Sequence, residues 1–278
     1  MTAPATGILR RLLPRPLWTR LRTIRAQRRL SMYPRRVVRH NYGGHPLEVM
    51  ITDPVAADWY DHDVPSPPEF ALLRRGKLRP GARVFDLGAH QGVVALMLAR
   101  IVESQGQVVA IEAMAHNARC AEQNRARNRA ANVVVLHAAA ADRPGTLEFE
   151  DGGGSHVATG GGEWSSTTVE AVTVDGLSER FGAPDVVYID VEGYEQHVLA
   201  GAAETLQRSQ PDCFVEVHVA AGLEQFGGTI ADILAHFPAD RYDVFVRDAD
   251  DAAEFVPAST DDCRRNRRFF LVALARHS

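Results

Sequence analysis

From residue 83 onward the chain alternates short apolar runs with longer amphipathic ones, and this alternation limits the possible folds more than any other feature. The runs 83–86, 107–112, 132–137, 185–190 and 212–218 read as strands. Between and after them, 91–103, 115–129, 194–206 and 223–237 carry apolar residues at helical spacing, as at Val94, Leu98 and Ile101. Strands separated by helices cannot pair as hairpins, so they form a parallel sheet covered on both faces. Two final runs, 242–246 and 268–274, have no helix between them and read as antiparallel neighbours. The expected architecture is α/β and Rossmann-like: a mostly parallel seven-stranded sheet with one late antiparallel strand.

The alternation breaks at about 144–174. Two β-like runs, 145–150 and 167–174, flank a loop with glycine at 152, 153, 154, 160, 161 and 162, which reads as an inserted hairpin. Residues 41–80 form a lead-in with a β-like stretch at 47–51, the proline patch Pro65-Ser66-Pro67-Pro68 and a helix over 69–77. The main domain is expected over 81–278.

Residues 1–40 read as an N-terminal extension. They hold eleven arginines and no acidic residue, so with 31 basic and 35 acidic residues in all, the other 238 carry 20 − 35 = −15. Leu17, Leu21 and Ile24 recur at helical spacing among these arginines. A basic amphipathic helix of this kind can rest on an anionic membrane surface, contact phosphates, or pack as an arm on the body. No apolar run reaches the ~18–20 residues of a membrane span. Cys120, Cys213 and Cys263 match no metal or redox spacing. A cytoplasmic protein is expected, with peripheral membrane contact open through the basic helix.

The first chemical constellation is Asp86-Leu87-Gly88-Ala89-His90-Gln91-Gly92, between the first strand of the alternation and its helix. Gly88 permits a tight turn and Gly92 lets the helix start close to a ligand. A helix N-terminus there offers N–H groups to an anion. The spacing is G-x-x-x-G rather than the G-x-G-x-x-G of dinucleotide sites, which disfavours a pyrophosphate. Glu112 closes the next strand, where a carboxylate can accept hydrogen bonds from ribose hydroxyls. His116 and Asn117 follow it. After the third strand, Ala138-Ala139-Ala140-Ala141-Asp142 is small enough to admit an adenine ring.

The second constellation stands at the next two strand ends. Asp190 and Glu192 end one; Glu216 and His218 end the other, on one face by strand alternation. Together they could deprotonate an acceptor hydroxyl, bind a divalent metal, or hold a polar substrate. No metal ligand is assigned from the sequence. Glu192 and Glu195 also suit the N-terminus of the following helix as caps.

The strings VFDLGAHQG, AIEA, VTVDGL, PDVVYIDVEGYEQHVLAGAAETL and PDCFVEVH, with the Asn-rich helix between them, resemble the FkbM-type S-adenosylmethionine-dependent methyltransferases over roughly residues 45–225. The resemblance implies a class I methyltransferase fold, S-adenosylmethionine as donor, and O-methylation of a sugar, glycolipid or natural-product hydroxyl. It implies that Asp86, Gly88, Ala89 and Gly92 line the methionine end; His90 and Asn117, from their places in the two loops, are further candidates for cofactor binding. By the same match Glu112 meets the ribose and Asp142 lies near the adenine, while Asp190, Glu192 and Gly193 form the hallmark acidic loop. Ala113 stands where the family has proline, and Tyr188 where it has lysine. The second departure removes a cation from the acceptor side.

Methyl transfer from a sulfonium is an in-line displacement, in which holding the reactants together can supply ~7–11 kcal/mol and a general base about 10²–10⁴-fold. Asp190 or His218, with Glu192 beside them, is the expected base, and the 152–162 loop is expected to close over the acceptor. A small-molecule or glycan hydroxyl is the expected partner. A nucleic-acid acceptor is disfavoured, since the chain has no N/D-P-P-Y/F motif, and a non-catalytic S-adenosylmethionine-binding module is the alternative from another class.

Overall fold

The structure, a computed structural model, describes Arg28 and residues 32–150, 157, 166–249 and 254–276. The basic helix expected at 17–29, Arg28 aside, and most of the 152–162 loop lie outside the described residues. Strands β1 (Arg36–Tyr42) and β2 (His45–Ile51) form an antiparallel hairpin, followed by helices α1 (Pro54–Tyr60) and α2 (Pro68–Leu73). Residues 36–40, assigned to the extension on composition, are thus the first five of β1. Neither β1 nor α1 is among the elements expected from sequence. Yet α1 carries a readable start, with Asp53 as N-cap accepting the Ala56 N–H and Pro54 at the first position.

The main sheet then builds as expected: β3 (Arg83–Leu87), α3 (Val93–Val102), β4 (Gln107–Glu112), α4 (Ala115–Arg127) and β5 (Val133–His137). Next, β6 (Ala139–Ala140), β7 (Gly145–Glu150) and β8 (Ser166–Val172) form a separate three-stranded sheet, with β7 antiparallel to β8 as the inserted hairpin requires. The chain continues through α5 (Val174–Phe181), β9 (Val186–Ile189), α6 (Glu195–Ala200), α7 (Ala203–Arg208) and β10 (Asp212–Val217). It ends with α8 (Ile230–Ala235), β11 (Tyr242–Asp248), β12 (Val256–Pro257) and β13 (Phe269–Ala275).

Strand order in the main sheet is β12-β11-β13-β10-β9-β3-β4-β5. β13 runs antiparallel between β10 and β11, as expected, and the two-residue β12 adds an eighth strand at the edge. Two helices expected as continuous are broken, and α5 is an addition. Gly201 caps the end of α6, and a Cβ there would lie 2.1 Å from the Ala141 carbonyl oxygen. The 223–237 segment splits into a 3-10 turn (Leu223–Phe226) and α8, with Gly227 left-handed between them and Thr229 starting α8 with a capping box.

Both faces of the sheet are buried, which is why its strands are continuous apolar runs. Val84, Val108, Val186 and Phe214 point to the side covered by the β1–β2 hairpin, α2 and α3. Phe85, Val109, Val187 and Val215 point to the side of α5–α8. α3 is buried almost all round, as a helix clamped between sheet and hairpin must be. The hairpin is held by two asparagines one turn apart on α4. Asn124 Oδ1 accepts the Met50 N–H at 2.7 Å, and Asn128 accepts the Glu48 N–H at 3.0 Å and donates to its carbonyl at 2.7 Å. β2 therefore satisfies its free edge on a helix.

The tightest approach in the sheet joins the two strand ends. The Asp190 N–H donates to the Leu87 carbonyl at 2.9 Å, and a Cβ on Gly88 would lie 1.7 Å from the Asp190 carbonyl oxygen. Gly88 also holds φ +89, a left-handed value that costs an L-residue roughly 1–2 kcal/mol. Gly44 has a similar φ, +91, but nothing within 4 Å of an added Cβ. Gly44→Ala should therefore lose only about 1–2 kcal/mol in chemical denaturation. Gly88→Ala should lose at least about 2 kcal/mol more, because two strands must part. Equal losses would show that the close approach does not matter.

Candidate active site

A cavity of about 470 Å³ opens at the carboxyl ends of β3, β4, β5 and β9. This is where a doubly wound sheet leaves a crevice, between β3 and β9, on either side of which the chain winds in opposite directions. Of the residues singled out by sequence, Gly88, His90, Glu112, Asn117, Asp190 and Glu192 line it. Asp86, Ala89 and Gly92 are buried and not on its surface. Asp142 is placed elsewhere: its carboxylate is 3.7 Å from His197 Nδ1, and it is not on the cavity surface.

Four of the backbone N–H groups in the β3–α3 turn are already engaged. Gly88 and Ala89 N–H both donate to the Ile111 carbonyl, and Gly92 N–H to that of Ala89. His90 N–H donates to Glu112 Oε2 at 2.8 Å. The turn thus fixes Glu112, whose other oxygen accepts the Met114 N–H at 2.7 Å. Burial raises the Glu112 pKa to about 7, with the N–H groups of Met114 and His90 and the Asn117 side chain opposing it.

Asp86 is buried, and its Oδ2 has no hydrogen-bond partner among the described residues. Burial, with Glu112 adding repulsion, pushes its pKa to about 7. The segment before and within α1 forms one side of the cavity, with residues that sequence reading missed. Tyr60 hydroxyl and His90 Nδ1 are 2.9 Å apart, and Trp59, half exposed, packs on the His90 ring at 5.1 Å. Burial lowers the His90 pKa to about 4. Burial also raises that of Tyr60, helped by Asp190, Asp86, Glu112 and Asp53, which surround it.

Asp53 caps α1 and also accepts from the Gln91 amide at 2.6 Å and the Thr52 hydroxyl at 3.1 Å. His116 stands 3.4 Å from Asp53, whose hydrogen bond, with a contribution from Cys120, lifts the His116 pKa to about 9. Only the Asp53-Pro54 start signal could have drawn attention to this wall.

The opposite wall is apolar: Ile111, Met114, Ala138, Ala139, Ala140 and, from the inserted hairpin, Phe149 and Val157, which bridges to it. Its three alanines put no long side chain into the cavity.

At the β9 and β10 ends, His218 is 3% exposed. Its Nδ1–H donates to Glu195 Oε1 at 2.7 Å, and the same oxygen accepts the Gly193 N–H at 2.8 Å. Glu195, a helix cap on sequence grounds, is thus the anchor of His218. The His218 Nε2 faces Glu192, Glu216 and Asp190 at 3.4, 3.6 and 3.8 Å. Burial alone would lower the His218 pKa; Glu195, Asp190 and Glu192 outweigh it and raise it to about 9. Burial and the Glu216 charge raise that of Asp190, with His218 opposing. Tyr188 takes no part in the cavity. It stacks on Phe214 at 4.1 Å, and its hydroxyl donates to the buried Glu69 at 2.7 Å.

These residues fit S-adenosylmethionine. An unpartnered buried carboxylate oxygen at Asp86, with Glu112, Asp53 and Asp190 close by, favours a ligand bearing positive charge. No lysine or arginine is among the described lining residues, and the cationic His116 is already paired with Asp53, which disfavours a dinucleotide phosphate. Glu112 and Asn117 supply acceptor and donor for a ribose, beside an apolar slot for a base.

No curated protein matches the chain. Among solved structures it is similar to the FkbM methyltransferase of Methylobacillus flagellatus KT, at 16% identity and a TM-score of 0.47, covering 74% of this chain and 50% of that one. The chain thus spans half the length of that protein. It is also similar to an S-adenosylmethionine-dependent O-methyltransferase of Thermotoga maritima (14% identity, TM-score 0.44, 87% and 78% covered). A third is the precorrin-6Y C5,15-methyltransferase of Geobacter metallireducens GS-15 (13%, 0.44, 75% and 88%). The sequence matches the family described as the methyltransferase FkbM domain over residues 86–251, which take in both strand ends and the inserted hairpin. The chain belongs to the FkbM methyltransferase family.

Proposed function

We propose that the protein transfers a methyl group from S-adenosylmethionine to a hydroxyl of a sugar, glycolipid or polyhydroxylated natural product. The observation that carries this reading is the cavity's division of labour: an apolar slot and cation-attracting carboxylates at one end, and Asp190 with Glu192 at the other. Asp86 and Glu112 would hold the donor, with Asn117 and the alanine slot around its nucleoside. When bound, the donor supplies a methyl group on a positively charged sulfur, already activated for displacement.

The chain's own residues position the acceptor and take its proton. Asp190 lies at the cavity surface and accepts the proton; His218, buried behind it, holds the carboxylates in place. Trp59 is half exposed on the cavity wall, where the flat face of a sugar ring can stack. No helix among the described residues is long and apolar enough to cross a membrane. A cytoplasmic site of action, with peripheral membrane contact through the basic N-terminus, goes with this reading.

The donor site should be pH-sensitive. Asp86 and Glu112, raised to about 7, are mostly neutral at pH 6 and ionised at pH 8, and a cationic ligand needs the ionised form. S-adenosylmethionine affinity by calorimetry should therefore rise from pH 6 to pH 8. Asp86→Asn should bind more weakly and with a flatter profile. Unchanged affinity in that variant would remove Asp86 from the donor site.

Acceptor chemistry is tested by following S-adenosylhomocysteine release across a panel of saccharides and hydroxylated aglycones. Asp190→Asn should cut kcat about 10²–10⁴-fold while leaving donor affinity within about threefold. Trp59→Ala should raise the acceptor KM and spare donor binding. If no hydroxylated acceptor turns over although the donor binds, the chain is a binding module rather than an O-methyltransferase.

A further inference from the structure

We infer that the ends of β9 and β10 form a divalent-cation site, with one ligand atom each from Asp190, Glu192 and His218, for an ion such as Mn²⁺ that accepts both imidazole and carboxylate. The three donor atoms lie within 4.8 Å of one another. Ligands side by side on an ion at about 2.1 Å stand roughly 3 Å apart, so the set needs only a small closure. Asp190 and Glu192 can make it, because their side chains are 40% and 48% exposed on the cavity wall.

Acidic residues alone would not make a site; the state of His218 is the independent observation. Its side chain is 4% exposed and cannot turn to solvent. Nδ1 is committed to Glu195, which is itself fully buried and anchored by the Gly193 N–H. That leaves Nε2 making no hydrogen bond and aimed at the Asp190, Glu192 and Glu216 oxygens. A histidine oriented through its far nitrogen by a buried carboxylate is how proteins present imidazole to a metal.

Charge points the same way. Asp190, Glu192, Glu195 and Glu216 meet at this corner, and Arg268 pairs with Glu216 at 3.0 Å. A divalent ion at His218 Nε2 takes the place of a proton there and brings positive charge to this corner.

The ion's remaining positions would face the cavity, where two neighbouring hydroxyls of an acceptor could occupy them. A carboxylate has two oxygens, so coordination through Asp190 Oδ1 leaves the other for the acceptor proton. This use of the ion rests on the O-methyltransferase reading; the binding of the ion does not.

The test uses the full chain, stripped with chelator and titrated with Mn²⁺ alone, free Mn²⁺ being read by electron paramagnetic resonance. One Mn²⁺ per chain is expected. Glu192→Gln should weaken it at least about tenfold, a loss that changes around metal-bound histidines already cause. His218→Asn should do the same, and because Glu192 is exposed, its variant decides if the buried one misfolds. Absence of stoichiometric Mn²⁺ binding, or binding untouched by Glu192→Gln, overturns the site. Calorimetry with S-adenosylmethionine separates the two proposals. Donor binding without Mn²⁺ overturns the metal site and leaves the methyltransferase reading standing. Mn²⁺ binding without donor binding does the reverse.

Discussion

The pairing of β3 with β9 is the contact on which the rest of the molecule depends. These strands stand adjacent in the sheet although about a hundred residues separate them. At their carboxyl ends the Gly88 turn and the Asp190 backbone come so close that a single methyl group would part them. That closeness merges two strand ends into one cavity. A glycine is required at position 88 because both φ and the facing carbonyl forbid a Cβ. Gly193 repeats the device on the other side, where its loop presses on Gly222 and brings Glu195 within reach of His218.

The cavity gathers negative charge, and the fold tolerates this by different means at each end. Near β3 and β4, Glu112 accepts two backbone N–H groups that offset part of its burial, while Asp86 keeps an oxygen without a partner among the described residues. Near β9 and β10, His218 serves as counter-charge to several carboxylates at once. Such groups destabilise a protein on their own account, since buried charge costs more than it returns unless it is well paired. Their gathering around a cavity, rather than singly through the core, suits a site that receives cations.

The elements that cover the cavity come from outside the regular alternation. α1 brings Trp59, Tyr60 and Asp53; the inserted hairpin brings Phe149 and Val157. The sheet and its main helices supply the chemistry common to such crevices, and these two additions shape the space in front of it. Tyr188 shows the same division. In place of a cation it has an apolar ring stacked on Phe214 and a hydroxyl held by Glu69, so its position adds to the core beneath the site rather than to the site.

Much of this was legible in the residues. Strands buried on both faces are unbroken apolar runs, so β3, β4, β5, β9 and β10 could be located within a residue or two, and the absence of a helix between β11 and β13 marked the antiparallel pair. Strand ends that must hold ligands carry glycine and carboxylates, so Gly88, Glu112, Asp190 and Glu192 could be placed on one pocket. Contacts between segments distant in sequence were not legible. Nothing local distinguishes a Glu195 that caps a helix from one that orients a histidine twenty-three residues later. Asp142 sits in a promising position along the chain, yet its carboxylate turns toward His197. The order of chemical groups along the strands follows from hydrophobic period and turn chemistry, which are local. Which oxygen faces which nitrogen was decided only when β3, β9 and β10 packed side by side.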